Sequence, residues 1–216
     1  MLEIARAKLP SYTSSGKELN ISFIEHDVSS LGGIKELKGL EGFFDIITIC
    51  SALVLLDDPR KAMKEWVRFL KRGGRLIVDI PSNKSMVGLK ILGDMARMFG
   101  VNVLGGRGWV EGEESLRGLL EEAGLEVERC WETGIWEGIP ARTVKGGKEG
   151  KGFWRKEEGG DVFEEMLTGG GMEGWKRESV REKAKEEFAR RWSELAGDDG
   201  LVREEGRLYV GIGRKV

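Results

Sequence analysis

Apolar positions along this chain fall into short, nearly continuous runs and into helix-spaced stripes. Ile46 to Ile49 and Leu76 to Ile80 are runs of the first kind, rich in β-branched residues. Runs of that length without alternation fit parallel strands covered on both faces. Parallel strands need a crossover, and the chain between them supplies one. Asp58 suits a helix N-cap and Pro59 the first helical position, where a missing N–H costs nothing. Ala62, Met63, Trp66, Val67 and Leu70 then recur at three- and four-residue spacing and build one apolar face. Lys71 and Arg72 suit the negative end of the helix dipole, and Gly73 the left-handed residue that ends it. The pattern predicts a right-handed βαβ unit of an α/β sheet.

Further along, Ile34 to Leu40 reads as a short helix and Asn83 to Phe99 as a longer one. The longer segment carries Met86, Met95 and Met98 beside Val87, Ile91 and Phe99. These side chains either line a pocket for an apolar small molecule or pack as core; Trp109 either faces a substrate or anchors its loop. From Gly138 to Gly174 the composition shifts to Gly, Lys and Glu with isolated Phe153, Trp154 and Phe163, which predicts a partly mobile insertion over residues 138–175. Ser179-Val180-Arg181-Glu182 has the form of a capping box. Val180, Ala184, Phe188, Trp192 and Leu195 make an apolar stripe, with Gly197 as its stop. Gly211-x-Gly213 alternates with Tyr209, Val210 and Ile212 in a strand and opens no helix, so it is no dinucleotide fingerprint.

The chain has 216 residues, enough for one domain with a real core, and a formal charge of -2. That balance gives no general attraction for nucleic acid and disfavours such a partner. Two cysteines, Cys50 and Cys130, both fall in expected strands and read as buried thiols of a reducing compartment. With His26 as the single histidine, a metal site built on imidazole clusters is excluded. No long apolar run or signal-peptide pattern is present, so the expectation is a cytoplasmic protein without a membrane span.

Residue identities narrow the fold. Phe44-Asp45-x-Ile47, Ser51-x-Leu53, Asp58-Pro59, Glu65 and Arg68 on the helix, and Leu70-Lys71-Arg72-Gly73-Gly74 before an apolar strand resemble the centre of class I S-adenosylmethionine-dependent methyltransferases, with Arg72 where that family carries proline. Ile21 to Val28 resembles the family's third strand, Leu119 to Val127 its helix and strand near the C-terminal edge, and Leu208 to Gly213 its last, antiparallel strand. The resemblance implies a Rossmann-like doubly wound sheet, mostly parallel with an antiparallel C-terminal strand, in a single domain over residues 1–216. It also implies S-adenosylmethionine as cofactor and a small molecule as methyl acceptor.

In the same resemblance Met1 to Leu9 matches the helix after the second strand. The family's Gly-x-Gly-x-Gly loop and the acidic residue that takes the ribose hydroxyls are missing, which predicts an N-terminally truncated, partial domain. Such a chain is expected to bind cofactor weakly or not at all and to be poorly soluble alone, since β-strand edges would stay unpaired. The cofactor-binding candidates that the resemblance implies are Asp27 for the adenine amino group, the Val28 N–H for a ring nitrogen, and Cys50 and Ser51 for the methionine part. Each has a plainer alternative: Asp27 caps its turn, Cys50 is core, and Ser51 satisfies local backbone. No catalytic base is assigned. The alternative function is a non-catalytic methyltransferase-like remnant that binds a partner.

Overall fold

The computed structural model describes residues 3–7, 21–102, 108–134, 153–169 and 171–216. The expected βαβ unit is present: β1 (Phe44–Ile49) and β2 (Leu70–Pro81) are parallel, with Ile46 opposite Arg75 and Ile49 opposite Val78. Helix α1 (Pro59–Phe69) crosses between them. Its Asp58 cap accepts the Lys61 N–H at 2.9 Å. Ala62, Met63, Trp66 and Val67 are buried on the sheet, and the Trp66 indole donates to the Val28 carbonyl at 2.7 Å.

The exit from α1 differs from the expectation. The helix stops at Phe69, Leu70 already pairs with Phe44, and Gly73 lies in a bulge where the β1–β2 register shifts, not at the helix end. Gly73 is left-handed, with φ of +78°. A Cβ on Gly74 would lie 2.9 Å from the carbonyl oxygens of both Lys71 and Phe44, so both glycines serve the bulge. Lys71 pairs with Asp45 across it. The carbonyls at the end of α1 are met instead by Lys215, whose Nζ donates to Val67 at 2.9 Å and Leu70 at 2.8 Å. A cation at a helix C-terminus satisfies both the unpaired acceptors and the dipole.

Strand β6 (Leu208–Lys215) lies antiparallel between β2 and β3 (Leu125–Glu132), giving the order β1-β2-β6-β3. Strands β1, β2 and β3 therefore run one way and β6 the other. Arg75 stands opposite Arg214, and Glu128 takes both: it forms two bonds to Arg75, at 2.7 and 2.9 Å, and an ion pair to Arg214 at 3.4 Å. Helix α3 (Glu113–Glu122) covers β6 through buried Leu116, Leu119 and Leu120. A Cβ on Gly211 would lie 2.7 Å and one on Gly213 3.2 Å from Leu120, so the Gly-x-Gly of this strand is what lets the helix lie down.

Ile21 to Val28, expected as a strand, is not one. Ladder bonds define a strand, and among the described residues β1 is the edge of the sheet with nothing paired beyond it. Residues 3–7 are helical, within the segment read as a helix.

A second core packs beside the first. It comprises α2 (Val87–Ala96), a two-stranded ribbon of β4 (Phe153–Arg155) and β5 (Leu201–Arg203), and helices α4 (Gly159–Met166), α5 (Glu173–Lys176) and α6 (Glu178–Glu194). Phe188 stacks on Trp192 at 5.8 Å, Trp154 meets Trp192 edge-on at 5.7 Å, and Phe163 lies 5.5 Å from Phe188. Of the segment 138–175 read as an insertion, residues 153–169 and 171–175 build β4, α4 and most of α5, with Trp154, Phe163 and Trp175 buried; 138–152 and 170 lie outside the described residues. Helix α6 begins at Glu178, one residue before the expected Ser179 cap, and buries Val180, Ala184, Phe188 and Trp192 of the expected stripe; Leu195, its last member, falls at the C-cap beyond the packed turns and is exposed. The methionine segment divides: Val87, Ile91 and Met95 are core, while Met86 and Met98 are exposed.

Candidate cofactor site

The candidate residues lie in two places, the turn that leaves β1 and the Asp27–Ser30 segment beside the entry to α1. After β1 the chain makes a short 3-10 turn at Leu53–Leu55 and enters α1 through Asp58. The segment Asp27 to Ser30 lies against this exit, anchored where Val28 accepts from Trp66. Between them is a cleft of about 340 Å³ lined by Asp27, Ser29, Leu55, Leu56 and Asp57 among others. It offers apolar side chains for a flat ring and carboxylates for N–H or O–H donors. A wider depression on the outer side of α1, between Arg60, Lys64 and Arg68, is a solvated charged helix face.

Asp27 caps its own turn. The Ser29 hydroxyl donates to its Oδ1 at 2.8 Å and the Ser29 N–H at 2.9 Å, and these bonds hold its carboxyl below the usual carboxylate range. His26 closes the same turn with its Nε2 at 2.9 Å from the Ser30 carbonyl. Val28 has an exposed side chain. Asp27 and Val28 are thus one unit beside the cleft.

Cys50 and Ser51 form a second unit and are not among the residues lining the cleft. Cys50 was expected to be a buried strand thiol; it is exposed, because it lies just past the end of β1 at Ile49, on the strand that edges the sheet among the described residues. Ser51 is left-handed, with φ of 54°. Its N–H donates to Asp79 Oδ1 at 2.7 Å, and its hydroxyl lies 3.4 Å from the same oxygen. Sequence reasoning missed Asp79. The available signal was a carboxylate inside the apolar run Leu76-Ile77-Val78-Asp79-Ile80.

The two thiols differ in a measurable way. Partial desolvation and then the Asp79 charge push Cys50 above the ordinary thiol value, and burial pushes Cys130 up to about 11. Because the thiolate is the nucleophile, Cys50 is expected to react with a disulfide reagent at pH 8 more slowly than free cysteine, and Cys130 only on unfolding. Two equally fast thiols would contradict this assignment. Folded Cys130 holds its proton more tightly than the unfolded thiol. Its contribution to stability is therefore present at neutral pH and lost as pH rises through about 11.

Order and direction of the strands define the class: an α/β, Rossmann-like sheet in which an antiparallel strand enters between the last two of the parallel set. Residues 1–78 match the family model of a methyltransferase domain. All four candidate residues lie in that matched segment. No match was found among curated proteins. Similar solved structures include a protein of Bacillus halodurans described as a methyltransferase, with 16% identity over 99% of this chain and 78% of that one and a TM-score of 0.48. Another is the YcgJ protein of a Bacillus species, with 15% identity, 95% and 76% coverage and a TM-score of 0.46. An S-adenosylmethionine-dependent methyltransferase of Thermotoga maritima has 17% identity, 100% and 69% coverage and a TM-score of 0.47. The fold assignment rests on the strand order itself. No described helix is long and apolar enough to cross a membrane.

Proposed function

We propose that the carboxyl ends of β1 and β2 take S-adenosylmethionine for methyl transfer to a small molecule, and that this chain holds the cofactor weakly. The observation that supports the reading is the pairing of β1 with β2, which sets the Ser51 turn beside Asp79 at the strand ends where open α/β sheets take ligands, with the cleft lined by Asp27 and Leu55 against the exit from β1. Bound there, the cofactor supplies an electrophilic sulfonium methyl group. Both Ser29 bonds fall on Asp27 Oδ1, so Oδ2 is the oxygen that accepts from an adenine amino group. The Trp66 bond to the Val28 carbonyl fixes the peptide beside it for a ring nitrogen, and Leu55 and Leu56 offer apolar contact to the ring. Cys50 and Ser51 face the methionine part. Among the described residues no glycine-rich strand-to-helix loop holds the cofactor's carboxypropyl end, which is the reason for weak binding.

Calorimetry with S-adenosylmethionine tests the reading. The chain is expected to bind in the high micromolar range or weaker, and Asp27→Ala to lose about tenfold more, as removal of a charge-assisted hydrogen bond does. Nanomolar binding would contradict the weak site; an unchanged constant in Asp27→Ala would remove that residue from it.

One observation favours a second reading, a non-catalytic binding protein. Strand β1 is an open edge among the described residues, and Phe43 and Ile46 are 64% and 57% exposed beside it. A chain that binds no S-adenosylmethionine at millimolar concentration but forms a defined complex through this edge would support it.

A further inference from the structure

A carboxylate stands in an interior strand of the sheet where its neighbours are apolar. Val78 and Ile80 are 1% and 0% exposed on one face of β2, and Asp79 lies on the other, half-buried and opposite Val210 of β6. Such a placement is costly unless the charge meets donors. Asp79 meets the Ser51 N–H at 2.7 Å, with the Ser51 hydroxyl at 3.4 Å.

Ser51 in turn is one of two residues other than glycine with positive φ among the described residues. The left-handed region disfavours a residue with a Cβ, and it persists only where the surroundings hold it. Register explains how Asp79 does so: Ile49, the last residue of β1, pairs with Val78, so the next residue of β2, Asp79, still held in its ladder with β6, stands where the Cys50–Ser51 turn leaves β1.

We propose that Asp79 is a positioning residue for the cofactor: it holds the Cys50–Ser51 turn in its left-handed form and thereby fixes the strand end that faces the methionine part. This rests on the cofactor reading above. Asp79 does not touch the ligand; it works through the Ser51 peptide, whose N–H it engages and whose carbonyl it therefore aims.

The test compares the full chain with Asp79→Asn, Asp79→Ala and the double variant Asp79→Ala with Ser51→Gly. Three readouts are taken: the affinity for S-adenosylmethionine, the Ser51 amide resonance by NMR, and the melting temperature. Asp79→Ala is expected to shift the Ser51 amide and to weaken cofactor binding about tenfold, the size of one charged hydrogen bond. Asp79→Asn keeps an acceptor at the same place and is expected to recover most of the affinity. Ser51→Gly adopts positive φ without being held, so the double variant is expected to regain part of what Asp79→Ala loses. A merely structural carboxylate would lower the melting temperature without such rescue. If the wild type binds and all variants bind equally, or glycine restores nothing, the positioning role is overturned while the cofactor reading stands. If the Ser51 amide shows the bond but the wild type binds no S-adenosylmethionine, the cofactor reading fails and takes the proposal with it.

Discussion

Trp192→Ala is expected to cost about 3–5 kcal/mol of folding stability, the usual effect of deleting a buried large aromatic. Trp192 is 1% exposed at the centre of the second core. Its ring stacks on Phe188 and meets Trp154, and a Cβ on Gly159 would come within 3.0 Å of the Trp192 Cβ. Neighbours this tightly placed on α4, β4 and α6 cannot collapse into the space without moving whole elements. The loss should therefore fall near the top of that range. Urea unfolding followed by circular dichroism measures it. A loss below about 1 kcal/mol would mean that the second core is not packed as described.

Gly211→Val is expected to destabilise by more than the roughly 1–3 kcal/mol common for overpacking, because the clash begins at the first added atom. A Cβ there lies 2.7 Å from Leu120 Cδ1 and 3.2 Å from Leu116 Cδ2, both fully buried. The residue sits on β6 between two ladders, so the strand cannot step aside: Gly211 pairs with Val78 and with Cys130. Only α3 can give. Gly211→Ala should be milder, and combining it with Leu120→Ala should cost less than the two single changes added together. Full additivity in thermal unfolding would show that helix and strand do not meet at this point.

These effects were legible in the sequence to different degrees, for reasons that particular residues make clear. The unit from Phe44 to Pro81 could be read because its signals are local: two apolar runs, Asp58-Pro59 and helix-spaced side chains. Gly73-Gly74 carried a correct signal for a backbone special, but a helix stop and a bulge ask for the same residue, and only the β1 register separates them. The strand expected over Ile21 to Val28 failed because a strand is a property of a pair. Lys215 lies far along the chain from the Val67 carbonyl that it caps, beyond the reach of any local pattern. In the second core, abundant Gly, Lys and Glu around Trp154, Phe163 and Trp175 concealed three aromatic anchors. The candidate site divides in the same way. The turn at Asp27 was readable from neighbours, whereas the tie between Ser51 and Asp79 spans the crossover and appears only when the two strands are set side by side.

The place of β6 has a bearing on how the chain is made. Strands β1, β2 and β3 leave the ribosome first, in spatial positions that leave a gap between β2 and β3 for a strand not yet synthesised. Until residues 208–215 emerge, both flanks of that gap are bare, α3 has no glycine floor to rest on, and the end of α1 lacks the ammonium that closes it. Contacts of such long sequence separation form late and slowly. The nascent chain is then most in need of a chaperone over the stretch of translation between β3 and β6.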